Sequence, residues 1–220
     1  MLVGNMKAKH FRWLFLPLLA ALAVVLGSAE APFTIGLHQE FSQDKYRFAG
    51  GTAPWALAFA GLFIGLYFLL MHAPCAKNGP PVSGWWRRTI AFWLDFILAV
   101  TALSAIFGLL PTLTEWRRTG FFAWNFERTS PAPGDALLTE TSFALDIPVL
   151  ILYFAWPIVR RRPTPGACIM GYLIVADDGA ALTLGKAIKR TLHGLTFLGD
   201  RKRATFRVDE SFGTHAARLE

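Results

Sequence analysis

The stretch Thr89–Leu110 reads TIAFWLDFILAVTALSAIFGLL, and it follows the pair Arg87-Arg88. Its length matches the roughly 20 residues that a helix needs to cross the hydrocarbon core of a membrane. Asp95 is the one charged residue within it. A carboxylate in hydrocarbon costs about 2.5 kcal/mol or more unless it is paired, protonated or hydrated. Asp95 is therefore the first candidate for a functional group.

The composition places the whole chain among membrane proteins. Apolar residues make up 54% of the sequence and charged residues 17%, whereas a soluble domain has roughly 25% charged residues. Three further apolar runs approach spanning length, at 13–29, 54–72 and 143–159. We therefore predict an all-α integral membrane protein, a four-span helical bundle with spans at 13–29, 54–72, 89–110 and 143–159.

The net charge of +7 follows this topology and does not indicate a nucleic-acid partner. Basic residues precede the first span, lie between the second and third, and follow the fourth at 160–162. Because basic loops stay in the cytoplasm, we expect a multi-pass protein with both termini on that side. A basic start, an apolar stretch and the small residues Gly27-Ser28-Ala29 also describe a cleaved signal peptide, which would leave three spans with the same sidedness.

Breaker residues divide the chain into parts. Gly79-Pro80-Pro81 separates two pairs of spans. The N-terminal part, residues 1–81, contains the first pair and an extracytoplasmic segment at 32–53. The second part, residues 82–208, contains the second pair and the cytoplasmic tail. The third span is expected to end at Pro111 and to be followed by a long outer loop, Pro111–Ser142, that covers the outer face as a flap. Residues 209–220 are expected to form a flexible C-terminus.

The tail after the fourth span predicts a short strand and an amphipathic helix on the cytoplasmic side. Ile169–Ala176 is a short apolar run bounded by turn signals, as a strand is. Thr183 can then cap a helix at 184–198. On that helix the leucines share one face, while Lys186 and Arg190 lie on the other. This pattern is typical of a helix at the membrane surface, with its basic side toward anionic lipid headgroups.

The order of these residues resembles the RDD family, small bacterial membrane proteins named for one arginine and two aspartates. Arg88 and Asp95, with Ala91 between them, resemble the start of the family's first span. Three later segments resemble its turn, its helix start and its closing segment: Thr164-Pro165-Gly166, then Leu184-Gly185-Lys186-Ala187 with Arg190, and Asp200-Arg201 with Thr205 and Val208. Ala167 stands where the family's turn usually has a lysine.

The resemblance covers about residues 82–208 and implies a location in the bacterial inner membrane. It makes Asp200 the candidate for the second aspartate. It also implies transport of ions or small ligands, with Arg88, Asp95 and Asp200 as the site. The residues that support this site would be Thr164, Pro165, Gly166, Lys186 and Arg190.

Two functions remain open at this point. In a carrier, Asp95 would bind a proton or a cation, and Arg88 and Asp200 would gate the cytoplasmic mouth. In a non-catalytic accessory subunit that stabilises or regulates a partner complex, the same three residues would form structural ion pairs. Arg88 and Asp95 lie two helical turns apart. We therefore expect Asp95 to pair with Arg190 or an arginine at 160–162, and Arg88 to pair with Asp200.

Enzymatic motifs are absent from the sequence. It has no nucleophile elbow, phosphate-binding loop or HExxH pair. His72 and Cys75 have a ligand-like spacing, but no second pair completes a metal site. We expect no enzymatic activity, no metal and no cofactor. The expected partners are the lipid bilayer with its anionic headgroups and either further copies of this chain or another membrane protein, because so few spans rarely enclose a pathway alone.

Overall fold

The computed structural model describes residues 7–27, 36–42, 45–75, 84–178, 180–196 and 208–219. The chain falls into two units. Unit 1 takes residues 1–20, 65–98 and 150–220, and unit 2 takes residues 21–64 and 99–149.

Apolar helices dominate the structure. They are α1 (Arg12–Gly27), α2 (Pro54–His72), α3 (Trp85–Phe107), α4 (Leu109–Thr119) and α5 (Asp135–Arg160). Within the described ranges, three segments are long and apolar enough to cross a membrane: Pro54–His72, Trp85–Thr119 and Asp135–Arg160. Helix α1 has 16 residues and is therefore about 24 Å long, short of the roughly 30 Å of a bilayer core. The predicted span at 13–29 is thus not among the three candidates.

The helix of the third predicted span continues past Pro111, where the sequence predicts its end. Helix α3 meets α4 at Gly108, and Pro111 lies in the first turn of α4. The prediction was wrong because a helix tolerates proline in its first turn, where the missing N–H has no helical partner in any case. Gly108 is required at the junction, since a Cβ atom there would overlap the backbone oxygen of Gly51.

Unit 2 contains a three-stranded antiparallel sheet that the all-α prediction omitted. Strand β1 (Gly36–Ser42) pairs with β2 (Lys45–Gly51), which pairs with β3 (Asn125–Arg128). The expected flap at 111–142 is therefore not a long loop, since it contains α4, β3 and the first part of α5. Local sequence could not reveal the sheet, because β3 has four residues and its partner lies far away along the chain.

The described tail belongs to unit 1 and includes two helices and two strands that are all short. They are α6 (Pro165–Met170), β4 (Tyr172–Ala176), α7 (Leu184–Thr196) and β5 (Thr214–Arg218). The predicted strand at 169–176 begins three residues late, because Thr164 and Pro165 start a helix that ends at Gly171. Gly171 has a left-handed φ of 77°, a conformation that favours glycine.

Regular secondary structure extends over most of residues 208–219, in the segment for which the sequence predicts a flexible C-terminus at 209–220. A helical turn at 208–212 leads into β5, which pairs antiparallel with β4 from Tyr172↔Arg218 to Ala176↔Thr214. Ala216 and Ala217 are each 1% exposed. The pairing with β5 gives hydrogen-bond partners to backbone N–H and C=O groups of β4. This end of the chain therefore completes a two-stranded sheet.

Helix α7 differs in part from the predicted amphipathic helix. The Thr183 hydroxyl accepts a hydrogen bond from the Lys186 N–H at 3.4 Å, which is the predicted cap. Leu184 and Leu192, on the predicted apolar face, are 39% and 42% exposed, whereas Ala187 is fully buried. Ala187 belongs to a buried cluster with Ala155, Ile158 and Leu182. The location of α7 at the membrane surface stays a prediction.

Small side chains bring the tail against the first turns of α3. Ala91 of α3 forms a buried cluster with Ala167 of α6, Tyr172 of β4 and Ala216 of β5. The neighbouring Cys168 thiol donates a hydrogen bond to the Ala8 oxygen at 3.0 Å, and burial raises its pKa to about 12. Neither cysteine forms a disulfide. This packing places the α6 turn beside Asp95.

Candidate functional site

Asp95 is held by three donors and is 2% exposed. Its Oδ1 atom accepts from the Tyr153 hydroxyl at 2.8 Å and from the Gly166 N–H at 2.7 Å. Its Oδ2 atom accepts from the Thr164 hydroxyl. All three donors are neutral groups, so hydrogen bonds and not an opposite charge hold this carboxylate.

The turn Thr164-Pro165-Gly166 provides two of these donors because it starts a helix. Thr164 caps α6, and its hydroxyl accepts from the Ala167 N–H at 3.2 Å while it donates to Asp95. Pro165 occupies the first helical position, where its missing N–H costs nothing. The Gly166 N–H belongs to a first turn that has no helical acceptor. Asp95 supplies that acceptor from α3.

Gly166 also sets how closely the turn approaches α3. A Cβ atom at this position would overlap the backbone oxygen of Ala91 and come within contact of Asp95. Only glycine therefore allows the N–H of residue 166 to reach the carboxylate. The glycine of the Thr-Pro-Gly turn therefore contacts Ala91 and Asp95 together, since these two residues lie one helical turn apart on α3.

The third donor comes from α5. The Tyr153 ring stacks on Tyr67 of α2 with ring centroids 5.1 Å apart, and the Tyr67 hydroxyl donates to the Tyr153 backbone oxygen at 3.2 Å. The donor to Asp95 is therefore itself fixed by a neighbouring helix. Neither tyrosine was singled out from the sequence, where an aromatic residue in a span is usually a packing residue.

The expected arginine partner of Asp95 is not found. Arg162 donates from Nε to the Met71 oxygen at 3.2 Å, and Arg190 donates to Asp209 at 2.8 Å. Across the described ranges the hydrogen-bond partners of Asp95 are the two hydroxyls and the N–H. The prediction failed because the α6 turn reaches Asp95 and fills its acceptor positions.

A second cluster joins α3 to the end of the chain through Asp209. Arg88 forms an ion pair with the Oδ2 atom of Asp209, and Arg190 forms one with the Oδ1 atom of Asp209. The Arg190 Nε atom also donates to the Thr214 hydroxyl at 3.1 Å. The three charged side chains are 11–16% exposed. Burial lowers the pKa of the Arg190 guanidinium, an effect that Asp209 opposes.

Sequence reasoning placed this acid at Asp200, which lies outside the described residues. The partner of Arg88 that the structure shows is Asp209, in a segment expected to be flexible. The signal available was weak, since Asp209 is one of two adjacent acids near the chain end. Lys186 takes no part in either cluster among the described contacts and is exposed.

A cavity of about 150 Å³ connects the two clusters within unit 1. Its lining includes Asp95 and Thr164 from the first cluster, Arg88 and Arg190 from the second, and also Arg162. The remaining lining is largely apolar. The structure therefore places Arg88, Asp95, Thr164 and Arg190 around one space, and it places Pro165 and Gly166 directly beside it.

The geometry provides a buried carboxylate, a set of arginines and a shared cavity. No group of three metal-ligating side chains occurs in the described ranges. The model of the RDD family matches residues 82–207 of the chain, which confirms the resemblance over that part. Asp209 lies two residues beyond the matched range. No curated protein and no solved structure matches the chain significantly.

Proposed function

The chain belongs to the RDD family, and from that premise we propose that it is an integral membrane carrier for ions or small ligands with Asp95 as the coupling carboxylate. The observation that supports this most directly is the environment of Asp95. It lies inside a candidate span, is buried, lines a cavity and has neutral hydrogen-bond partners among the described residues. A buried charge without an opposite charge is costly in a membrane, so such residues commonly serve transport.

In this proposal Asp95 binds a proton or a cation from the cavity, and its donors rearrange when it does. The two hydroxyl groups can rotate from donating to accepting, whereas the Gly166 N–H can only donate. The Gly166 bond would then keep the carboxyl group in place in both states. Arg88 and Arg190 would control access from the same cavity, and no catalytic chemistry is part of the proposal.

The sidedness of the protein belongs to the same proposal. The Ala8 N–H donates to the Pro74 oxygen at 3.0 Å, and the Ala8 oxygen accepts from Cys168. These contacts support placing the N-terminal part and the tail on one side, which the basic loops assign to the cytoplasm of a bacterial inner membrane. An even number of crossings then requires the N-terminal segment that contains α1 to cross with the three candidate spans, although α1 itself is shorter than the bilayer core.

Contacts with lipid and with other chains are also proposed. Ile90, Trp93 and Ile97 lie on one face of α3 and are 43–46% exposed, which supports contact with acyl chains or with a neighbouring apolar helix. A carrier built from so few spans would function as an oligomer of this chain. Anionic headgroups would meet the exposed Lys186 side of α7.

Transport by the unmodified chain is the first prediction. Purified protein in liposomes is expected to accelerate the decay of an imposed proton or sodium gradient relative to protein-free liposomes, because a carboxylate that lines a cavity can load either ion. The measurement is internal dye fluorescence with each gradient in turn and a potassium clamp on the membrane potential. Equal decay rates with and without protein for both ions would reject the carrier.

An accessory subunit is the second candidate, and one observation favours it. The three donors occupy both oxygen atoms of Asp95, as they would in a structural tie between α3 and the α6 turn. Under this alternative the liposomes carry neither ion, and the chain extracted from its native membrane is recovered in a complex of fixed composition. Substituting Asp95 would then change the yield of that complex.

A further inference from the structure

Positive charge exceeds negative charge around the cavity. Arg88, Arg162 and Arg190 line it, while the carboxylates of the described residues that face or pair with them are Asp95 and Asp209. Within the described part of the chain, three guanidinium groups against two carboxylates leave an excess of one positive charge. Asp95 is already bonded to three other donors, so it does not neutralise an arginine directly. The excess is expected to attract an anion.

The guanidinium groups also keep unused donors. Each guanidinium has five N–H donors. Arg190 uses its Nε atom on Thr214 and one terminal nitrogen on Asp209. Arg162 uses its Nε atom on the Met71 oxygen and also bonds the Cys75 side chain. Counted over the described residues, N–H groups of both arginines remain available to an oxygen-rich ligand, and the planar guanidinium suits phosphate and carboxylate oxygens.

A buried hydroxyl at the cavity points to a ligand independently of the charges. Thr191 lines the cavity and is 8% exposed. Its Oγ1 atom has no hydrogen-bond partner among the residues that the structure describes. A buried polar group without a partner is unfavourable. Helix α7 therefore contributes both a hydroxyl without a described partner and the Arg190 guanidinium to the lining of one cavity.

The apolar part of the lining limits the kind of anion. Phe92, Phe154 and Ile158 lie around the same space. The volume of about 150 Å³ resembles that of a cavity that holds one benzene molecule. An oxyanion fits the arginine side, and a short apolar group attached to it fits the aromatic side.

We propose that this cavity binds an oxyanion of the phosphate or phosphate-ester class, held by the guanidinium groups of Arg88, Arg162 and Arg190 and by the hydroxyl of Thr191. Such a ligand is supplied either by free phosphate or by the headgroup of an anionic phospholipid whose acyl chains leave through the open side. The site requires binding and not transport, so it stands or falls separately from the carrier function.

The test uses the full chain in phosphatidylcholine nanodiscs and follows thermal unfolding. Inorganic phosphate is added against sodium chloride of equal ionic strength, and a parallel sample replaces part of the lipid by phosphatidylglycerol. A ligand that binds only the folded state raises the midpoint, because it stabilises that state by RT ln(1 + [L]/Kd). Thr191→Val removes the hydroxyl at nearly constant volume, and the matched control Thr89→Val removes an exposed hydroxyl that bonds its own helix.

The wild type is expected to be stabilised, and Thr191→Val is expected to bind about tenfold more weakly, because it loses one hydrogen bond to a charged ligand. Thr89→Val should bind as the wild type does. Stabilisation by phosphate identifies the free ion as sufficient, and stabilisation by phosphatidylglycerol alone identifies the lipid headgroup. No stabilisation by either ligand, or equal binding by Thr191→Val and the wild type, would overturn the proposal.

Discussion

Asp209→Ala is expected to lower the free energy of unfolding by about 3–5 kcal/mol, because it leaves buried guanidinium groups without their carboxylate. Arg88 and Arg190 both bond to Asp209, and all three side chains are at most 16% exposed. The substitution would also remove the Oδ1 atom that accepts from both Arg190 and the Thr214 hydroxyl. The measurement is thermal or denaturant unfolding of the purified chain in one detergent, followed by circular dichroism.

Glu210→Ala is the matched control for this substitution. Glu210 is the neighbouring acid in the same helical turn and is exposed, so its removal should change the free energy of unfolding by at most about 0.5 kcal/mol. The double variant Arg88→Ala with Asp209→Ala should cost less than the sum of the single losses, because the two residues share one interaction. Equal effects of the two acidic substitutions would contradict the assigned role of Asp209.

Asp95→Ala is expected to cost about 2–4 kcal/mol, because it removes the acceptor of three donors at once. The Gly166 N–H lies in the first turn of α6, where it has no helical acceptor, and its acceptor among the described residues is Asp95. The Thr164 hydroxyl can rotate toward the cavity that this residue lines, which reduces its share of the loss. Unfolding in detergent, measured as for Asp209, gives the value.

Asp146→Ala provides the comparison for Asp95, since Asp146 is a carboxylate within the span of α5. Its Oδ1 atom is buried and has no hydrogen-bond partner in the described part of the chain. Removing an unpartnered buried acceptor should leave the free energy of unfolding unchanged or raise it. If Asp146→Ala and Asp95→Ala were equally destabilising, the three bonds to Asp95 would not explain the loss.

Local sequence patterns were sufficient for the apolar helices. The second predicted span, 54–72, coincides with α2, because a continuous apolar run of spanning length has few alternatives. The helix start at Thr183-Leu184 followed from the cap. In contrast, the ends of α3 and α5 were missed, since the helices continue beyond the apolar stretch into polar residues. Hydropathy identifies the apolar segment that can lie in the hydrocarbon core. It does not identify the ends of a helix that extends beyond that segment.

The candidate site depended on contacts that are distant along the chain. Asp95 and Thr164-Pro165-Gly166 were singled out separately, and the structure brings them into direct contact. The identity of the acid opposite Arg88 could not be derived, because Asp209 precedes a strand whose pairing with β4 is not visible in the local sequence. Charge alone could not select Asp209 over the other acids of the tail.

The substitution Asp95→Asn offers the sharpest test of whether the carboxylate does more than support the fold. It keeps the volume of the side chain and one carbonyl oxygen for the Gly166 N–H, so the variant is expected to fold. It removes the ionisable group, so a proton or cation can no longer bind there. The central measurement is the rate of ion flux per folded molecule in liposomes that contain either the wild type or Asp95→Asn.

The carrier function predicts clear flux for the wild type and a rate no higher than that of protein-free liposomes for Asp95→Asn, with both proteins inserted and folded to the same extent. Equal flux through Asp95→Asn and the wild type would contradict a coupling role for Asp95.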